Sequence, residues 1–532
     1  MPHPVDSFTE AERARLAPHV TSLDAPVFAL VGLPETVKGA MFARYSRYQG
    51  TLRRLFLDEF ADSLPEGAAA AAGLQADEGG RAAELYERIF VGYGDDSVAQ
   101  LGGAHVACEW VSNVLTKVLQ RPRLAAYLEQ STRYIAYDAP MPSGGYRYYR
   151  DPDLGPRYER AMDELFDIYA AALPKVTAWV DGQFPGDPSP ARTRAIKAKA
   201  LDLLRGVLPA ASLSHMGIYA SGQTYEQLIL HLLAHPLPEA RSCGRMILEA
   251  VQGVMPSFVT RVERPERGGE WINYLEARGR SADRWVRRLG LDRDPAEDEE
   301  SRPSVRLLHV DGDEESLLAS LLFEAAGTPE DKTRIRLAAL SLSERAELLC
   351  DLVGHRANRR HRPGRGFEAL RYRFEVVSDY GAFRDLQRHR MLTVQWQRLT
   401  PHLGAGVPDE VEAAGCGDAL RRAYEVSEGE WGRLAGGGRD REAAYALCLG
   451  FRIRYVLDLN AREAMQLIEL RSGREGHPSY RAVAHEMHRL IAQVHPAVAG
   501  AMTHVDTDAE PRLERILSEM RTQAKRDAPA GR

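Results

Sequence analysis

The chain has 532 residues, of which 44% are hydrophobic and 27% are charged. This length exceeds what one ordinary hydrophobic core holds, so we expect a soluble globular protein of two or more domains. The formal net charge of −6 argues against a general polyanion binder, so a local group of arginines must hold any anionic ligand. The five cysteines form no C-x-x-C pair, which disfavours structural zinc and disulfides. With no bilayer-length apolar run and no signal-peptide pattern, we predict a cytoplasmic protein that does not enter a membrane.

The same order of predicted elements occurs twice along the chain. A strand-like run at Phe28 leads through a turn into a helical stretch, and a run at Arg306 leads into another from Ser316. Further on, KVLQRPRL from Lys117 parallels RDLQRHRM from Arg384, and each half then carries a Leu-rich helix. Three similarities in the same order indicate tandem duplication. We predict an α+β fold of two such modules, residues 1–290 and 305–520, joined by a charged linker at 291–304 and followed by a tail at 521–532.

An arginine-rich segment in the second half is the first candidate for a ligand site. Residues 378–390 are predicted to be helical, and Asp385 offsets part of the repulsion between Arg384 and Arg388. The guanidinium forks of Arg388 and Arg390 beside His389 suit a phosphate or a stacked aromatic ring. The alternative for an isolated R-H-R is a solvated basic surface.

The helix predicted to begin at Asn460 is a more specific signal. Asn460 and Glu463 have the spacing of a capping box. Arg471 ends the apolar stripe of this helix, whereas Arg462 and Gln466 share a neighbouring face. Arg471 is therefore predicted to point into a pocket or, alternatively, to extend to solvent or pair with a carboxylate.

In the first half, Glu129, Ser131 and Arg133 stand at alternate positions. One extended strand would project all three side chains to the same side. A carboxylate, a hydroxyl and a guanidinium on one side can read a uracil edge, sugar hydroxyls and a phosphate. The alternative is a strand at the edge of a sheet with a surface ion pair.

These segments together resemble the flavin-dependent thymidylate synthases. The signature of that family is R-H-R, seven residues and a serine, within R-H-R-x-x-S-x-N-E-x-S-x-R-Y. The first half keeps this spacing from Arg121 and Arg123 to Ser131, but Pro122 replaces the histidine. The second half keeps the R-H-R of 388–390, but Arg398 replaces the serine.

Two further family motifs are divided between the halves. The family has an arginine four positions before the proline of a Leu-Pro pair. Arg205 matches this arginine in the first half, whereas the corresponding residue of the second half is Ala444. The Asn-x-Arg that opens a helix ending in a substrate arginine is matched by Asn460, Arg462 and Arg471. The losses are therefore complementary.

Several departures accompany the resemblance. Pro122 disfavours helix in the residue before it, so we expect the helix there to end at Arg121 and this half not to bind flavin in the usual way. The family's Gly-His-x-Ser/Thr phrase occurs as residues 94–97 without its histidine, and only Phe367-Glu368 remains of Phe-Glu-His. The basic loop 355–365 could hold a cofactor phosphate, hold an RNA backbone or be solvated.

The resemblance implies reductive C5 methylation of dUMP, with FAD as cofactor and NADPH and methylenetetrahydrofolate as cosubstrates. It implies Arg471 as the catalytic residue. It implies that the substrate is bound by Glu129, Gln130, Ser131, Thr132, Arg133, Arg205, Arg388 and Arg471. It implies that the cofactor is bound by Ser97, Arg388, His389, Arg390, Asn460, Arg462 and Gln466.

Members of this family are homotetramers with active sites at subunit junctions, so the resemblance implies a homodimer that forms a pseudo-tetramer. Composite sites would then join the two kinds of module, with Ser131 and Arg471 bordering one cavity. Two alternatives stay open: flavin-dependent modification of another pyrimidine nucleotide or of RNA uridine, and a non-catalytic scaffold that keeps the fold. The H-E-x-H at 485–488 is one residue too short for a zinc-protease motif, so we predict no metal.

Overall fold

Two four-stranded antiparallel sheets of identical strand order form the framework of the protein. The computed structural model describes residues 3–4, 6–63, 99–141, 144–292, 302–508 and 513–527. The first sheet has the order β1-β2-β4-β3 and the second has the order β5-β6-β8-β7. The predicted α+β fold of two tandem modules is confirmed by this repetition.

The described part of the first module consists of four strands and the helices that connect and cover them. Its strands are β1 (Val27–Leu30), β2 (Gly103–Ser112), β3 (Ala125–Glu129) and β4 (Leu213–Ser221). Its helices are α1 (Glu10–Leu16), α2 (Glu35–Tyr45), α3 (Leu52–Leu55), α4 (Asn113–Leu119), α5 (Gly155–Gln183), α6 (Pro190–Leu204), α7 (Gly222–Leu233), α8 (Pro238–Gln252) and α9 (Glu270–Leu289).

The second module repeats this strand pattern. Its strands are β5 (Ser304–Asp311), β6 (Arg371–Asp379), β7 (Thr393–Trp396) and β8 (Arg452–Asn460). Its helices are α10 (Glu314–Leu322), α11 (Glu330–Ala338), α12 (Leu342–Val353), α13 (Tyr380–Leu386), α14 (Asp409–Ala413), α15 (Gly417–Gly436), α16 (Ala461–Arg471), α17 (Pro478–Val494), α18 (Pro496–Gly500) and α19 (Ile516–Asp527).

The central strands of both sheets pass directly into helices through the same kind of cap. Ser112 ends β2 and caps α4, and Asp379 ends β6 and caps α13. Ser221 and Asn460 do the same at the junctions of β4 with α7 and of β8 with α16. A short polar side chain at each junction accepts a bond from a backbone N–H that the first helical turn leaves without a partner. The predicted N-cap at Asn460 is confirmed.

The chain folds into two compact units, and each unit is built from three separate segments of the sequence. Unit 1 contains residues 1–170, 208–294 and 425–447, and unit 2 contains residues 171–207, 295–424 and 448–532. A helical segment of the first half thus belongs to unit 2, and a segment of the second half belongs to unit 1. The continuous module bounds drawn from the sequence stay a prediction.

Apolar side chains of the strands supply the core of each unit. Along β8, Ile453, Tyr455, Leu457 and Leu459 are buried and alternate with partly exposed residues. This period of two places one face of the strand on the core. In unit 1, β1 is buried along its whole length, and Phe28 packs in a cluster with residues of α1, α2 and α3.

Three predicted element bounds are wrong. The strand expected to carry Glu129, Ser131 and Arg133 ends at Glu129, because the following residues turn and the N–H of Tyr134 donates to the carbonyl of Ser131 at 3.1 Å. The helix expected over 378–390 spans only Tyr380–Leu386, since Asp379 caps its start and the chain turns at 387–388.

The third error concerns the helix before Pro122, which ends at Leu119 with Gln120 as its cap and not at Arg121. The N–H of Gln120 donates to the carbonyl of Thr116, which closes the last turn before the proline. Most of the predicted linker and all of residues 64–98 lie outside the described part of the chain. Among the described residues, no helix is long and apolar enough to cross a membrane.

A buried ion pair anchors the basic loop 355–365. The guanidinium of Arg356 donates to both carboxylate oxygens of Glu469, each over 2.6 Å, and the two side chains are 3% and 0% exposed. Arg359, Arg360 and Arg362 are exposed. The first arginine of the loop is thus structural, whereas these three present their charges to solvent.

Glu469→Gln is expected to lower the free energy of unfolding by about 3–5 kcal/mol, because it leaves the buried guanidinium of Arg356 without a countercharge. Glu486→Gln is the matched control, since its pair with Arg489 is exposed and is worth roughly 0–1 kcal/mol. Urea denaturation of both variants measures the difference. Equal midpoints for the two would contradict a stabilising role for the buried pair.

Candidate functional site

A buried histidine in unit 2 links the end of one helix to both ends of another. Nδ1 of His389 lies 2.9 Å from Oε1 of Glu463, in the first turn of α16. Nε of Arg471, the last residue of α16, donates to Nε2 of His389 over 3.1 Å. The imidazole therefore joins a carboxylate and a guanidinium that stand eight positions apart.

This geometry fixes the protonation state of the histidine. Because Nε2 accepts from Arg471, the ring proton lies on Nδ1, which donates to Glu463. Burial lowers the pKa of His389, and the hydrogen bond to Glu463 offsets part of this effect. A protonated ring could not accept the Arg471 bond, so the neutral form is the one that the site requires.

The guanidinium of Arg471 is held between this histidine and an aromatic ring. Its Cζ lies 5.4 Å from the ring centroid of Tyr480 on α17. Burial lowers the pKa of Arg471, and the nearby Asp385 offsets part of this effect. A partly desolvated charge of fixed orientation suits the stabilisation of negative charge on a ligand.

Arg205 from the first half of the chain belongs to the same unit. Its Nη1 lies 3.4 Å from Oδ2 of Asp385, and its Nη2 lies 3.5 Å from Oδ1 of Asp379. Oδ1 of Asp385 lies 3.8 Å from Nη1 of Arg388. Asp385 is therefore the common counter-ion of two predicted site arginines.

The two ion pairs of Arg205 are longer than the 2.7–2.9 Å of a strong charge-assisted hydrogen bond. Within the described part of the chain, its buried Nη2 makes no hydrogen bond. The guanidinium of Arg205 is thus held only weakly by the two aspartates and can still form shorter hydrogen bonds with an anionic ligand.

A cavity of about 310 Å³ lies beside Arg205 within unit 2. Asp379, Tyr424, Arg452 and His477 contribute to its wall. Burial lowers the pKa of Arg452, whose Nη1 donates to the carbonyl of Leu403 over 2.9 Å. The cavity is lined by both cationic and anionic groups, which suits a polar ligand.

The predicted flavin-binding residues of α16 are partly engaged within the protein. The Asn460 carboxamide caps α16 by accepting from the N–H of Glu463 at 2.9 Å. Nε of Arg462 donates to the carbonyl of Pro363 over 3.0 Å, and Gln466 is partly buried. Arg388 and Arg390 are exposed at the start of the turn after α13.

The predicted nucleotide-binding residues 129–133 lie in unit 1, at the end of β3 and in the turn after it. Glu129 is buried and accepts from Lys117 Nζ at 3.0 Å. Gln130 and Thr132 are also buried. Ser131 Oγ accepts from the N–H of Arg133 at 3.3 Å, in the turn that follows the strand. These residues form a local group around one turn, and the composite site that would join them to Arg471 stays a prediction.

Ser97 lies outside the described residues. The sequence did not point to Tyr480, Tyr424, Arg452 or His477, which are single aromatic or basic residues without a motif. Glu463 was recognised only as part of a helix cap. Its partner His389 is 74 positions away, so no local pattern could reveal the pair.

No group of three or more side chains with metal-ligand chemistry occurs among the residues that the structure describes. His485 and His488 of the H-E-x-H segment contact backbone carbonyls, those of Asp506 at 2.7 Å and Ala499 at 3.1 Å. His485 therefore contacts the loop at Asp506, and His488 contacts α18.

Comparison with known proteins identifies the family. Residues 54–257 and 319–497, more than half of the chain, match the family described as thymidylate synthase complementing protein. The chain therefore belongs to this flavin-dependent thymidylate synthase family, in a form that carries two copies of the module. The relationship predicted from sequence is confirmed.

Two relatives are similar to nearly the full length of the chain. A UPF0159 protein of Chlamydia muridarum is 35% identical over 542 residues, covering 97% of this chain and 99% of that protein. The UPF0159 protein Ta1429 of Thermoplasma acidophilum is 32% identical over 533 residues, covering 92% and 99%. Among solved structures, the UMP/dUMP methylase PolB from Streptomyces cacaoi, bound with 5-Br dUMP, is 22% identical with a TM-score of 0.31, covering 38% of this chain and 96% of that one.

Glu463→Gln is expected to lower the pKa of His389 further, because the carboxylate that favours the imidazolium is lost while the burial remains. Histidine NMR titration measures this, with Gln466→Ala on the same helix as the control. In the wild-type protein and in Glu463→Gln, the pKa of His389 is lower in the folded state than in the unfolded state. The contribution of this histidine to the free energy of unfolding is therefore fully present above about pH 6.5 and is lost as the pH falls below that value. An unchanged or raised pKa in Glu463→Gln would contradict the hydrogen-bond assignment.

Proposed function

We propose that the protein catalyses the FAD-dependent reductive C5 methylation of dUMP, with methylenetetrahydrofolate and NADPH as cosubstrates. Family membership supports this class of reaction. The observation that carries the proposal is the guanidinium of Arg471, whose Nε is fixed on the neutral ring of His389.

In this proposal, Arg471 stabilises negative charge that develops on the uracil ring as C5 reacts. His389 orients the guanidinium, and Glu463 sets the tautomer of His389. Since these bonds exist before the ligand binds, little reorganisation is needed when the charge develops. Arg471 is thus the catalytic residue, and His389 and Glu463 act through it as positioning residues.

Arg205 is proposed to bind the 5′-phosphate. Its contacts with Asp379 and Asp385 are long, so a phosphate can replace them with shorter charge-assisted bonds. The same replacement would free Asp385 to pair more closely with Arg388. Arg133 and Ser131 of unit 1 are proposed as further nucleotide contacts, as the family resemblance implies.

The cationic donors of unit 2 fit the anionic parts of FAD. Arg388 and Arg390 expose their guanidinium groups on either side of His389. Arg462 and Gln466 lie in the first and second turns of α16. Bound FAD, once reduced by NADPH, would supply the hydride and carry the one-carbon unit from methylenetetrahydrofolate, while these residues bind and orient it.

Arg471→Ala is expected to reduce methylation by at least 10²–10³-fold while FAD remains bound, because it removes the charge that faces the substrate and leaves Arg388 and Arg390 in place. Tritium release from C5-labelled dUMP measures the reaction, and the visible spectrum of the purified protein measures flavin content. Arg471→Lys is the control that keeps the charge.

Loss of the yellow chromophore in Arg471→Ala would contradict the division of roles. A wild-type protein that is colourless and releases no tritium would contradict the proposed function and leave a scaffold. Release from a labelled uridine in another nucleotide or in RNA, and not from dUMP, would reassign the substrate.

Ser131→Ala is expected to weaken dUMP binding about tenfold, the order of one hydrogen bond to a charged group, without changing the flavin content. Isothermal titration with dUMP and the flavin absorbance measure the two quantities. Thr177→Ala, which removes a hydroxyl bonded only to a helical carbonyl in its own helix, is the control. Unchanged dUMP affinity in Ser131→Ala would contradict its assignment.

A further inference from the structure

Each unit contains a cavity, and the two cavities occupy equivalent places in the duplicated fold. In unit 1, Tyr148 pairs with Ser212, the residue before β4. In unit 2, Ala405 pairs with Phe451, the residue before β8. The residues after these bridges, Tyr149 and Arg150 in unit 1 and Gly406 and Val407 in unit 2, line the respective cavities.

Other wall positions correspond one to one. The proline before β1 corresponds to the proline before β5, the first residue of β4 to the first residue of β8, and the second residue of α8 to the second residue of α17. These pairs are Pro26 with Pro303, Leu213 with Arg452, and Glu239 with Ser479. The cavity of unit 1, about 240 Å³, is therefore the internal duplicate of the cavity beside Arg205.

The hydrogen-bond register identifies what unit 1 has in place of Arg205. The N–H of Gly450 donates to the carbonyl of Gly206 at 3.0 Å, and the N–H of Ala211 donates to the carbonyl of Tyr445 at 3.0 Å. Because Gly450 and Ala211 each stand two positions before their strand, Tyr445 is the counterpart of Gly206. Ala444 is then the counterpart of Arg205, so unit 1 lacks the guanidinium.

A carboxylate and a phenol replace that guanidinium. Tyr445 donates from its hydroxyl to Oε2 of Glu239 over 2.7 Å, and its ring stacks on Tyr149 with centroids 4.6 Å apart. Glu239 also accepts from the N–H and hydroxyl of Ser112 at 2.8 and 2.7 Å. The buried carboxylate is thus satisfied from inside the protein and would repel a phosphate.

The cationic group of this wall is also engaged. Arg150 places its Cζ 3.8 Å from the ring centroid of Tyr148 and donates to the carbonyl of Tyr146 at 2.9 Å. The second carboxylate, Glu109, is paired with Arg53 over 3.2 Å. Since the charged groups have partners, a ligand meets mainly the apolar faces of the wall.

Those faces are aromatic. Trp110, Tyr148 and Tyr149 line the cavity together with Met141 and Met246. Trp110 has a φ of 57°, a left-handed conformation that no other described non-glycine residue adopts. This conformation costs of order 1–3 kcal/mol, and here it accompanies a bulge that brings the indole to the cavity wall. Flat aromatic walls favour a planar ring, which stacks on them.

We propose that the cavity of unit 1 is a second ligand site, which binds an uncharged pyrimidine base or nucleoside and excludes phosphorylated nucleotides. The chain then binds one phosphorylated nucleotide, with its phosphate at Arg205, although it carries two modules. The pyrimidine class rests on the proposed function of unit 2, since the cavity of unit 1 is its duplicate. The exclusion of phosphate rests on Ala444, Tyr445 and Glu239.

Deoxyuridine and dUMP differ only in the phosphate and are the probes for this proposal. With the full chain, titration calorimetry of dUMP is expected to give one site per chain. Tritiated deoxyuridine, added in equilibrium dialysis with dUMP at saturation, is expected to bind at a further site. Ser242→Phe, which fills the unit 1 cavity from α8, should weaken that binding at least tenfold.

Arg245→Phe is the matched control, because Arg245 is exposed on the same helix and does not line the cavity. Met246→Trp is a second filling variant, used if Ser242→Phe does not fold. Two dUMP sites per chain, displacement of all deoxyuridine by dUMP, or equal deoxyuridine binding in the filled and control variants would each overturn the proposal. If dUMP does not bind at all, the function proposed for unit 2 fails, and deoxyuridine binding without dUMP still tests unit 1 through the same variants.

Discussion

The buried imidazole of His389, hydrogen-bonded to Glu463 on one side and to Arg471 on the other, is the contact on which the candidate site depends. A neutral imidazole can accept from a guanidinium and donate to a carboxylate at the same time, whereas an imidazolium can only donate. Burial keeps the ring neutral by lowering its pKa. Through this contact the turn after α13 is tied to both ends of α16, so the position of Arg471 is set by the fold.

Near this contact, two arginines of unit 2 share one counter-ion. Asp385 is shared between Arg205 and Arg388 at distances of 3.4 and 3.8 Å. Such contacts hold the guanidinium groups near one another, and those of Arg205 are longer than strong charge-assisted hydrogen bonds. A site of this kind is prepared for an anion, because the ligand replaces long ion pairs by short ones. The carboxylates then serve to keep the arginines in place while the ligand is absent.

Duplication let the two units diverge in charge while the backbone stayed the same. The sheets keep one strand order and the strand-to-helix junctions keep one kind of cap. The equivalent cavities, in contrast, differ in the group that decides ligand charge, which is Arg205 in unit 2 and Ala444 beside Tyr445 in unit 1. Backbone hydrogen bonds do not depend on side-chain identity. The backbone around each cavity is therefore kept, while the side chains that line it differ.

The sequence determined the α+β class, the duplication, the cap at Asn460 and the family, because these depend on local patterns and on residue spacing. Motif fragments also predicted Arg205, Arg388 and Arg471 as site residues; the structure brings Arg205 and Arg388 to the same aspartate, Asp385, and their role in binding stays a prediction. Only the tertiary structure decided that a segment of the first half carries Arg205 into unit 2, and that Glu463 orients His389 as well as completing a cap. The strand ending at Glu129 and the short helix at Tyr380–Leu386 were likewise decided by burial and turns. Contacts between residues that are far apart in sequence leave no local periodicity, so the chain must fold before they can be identified.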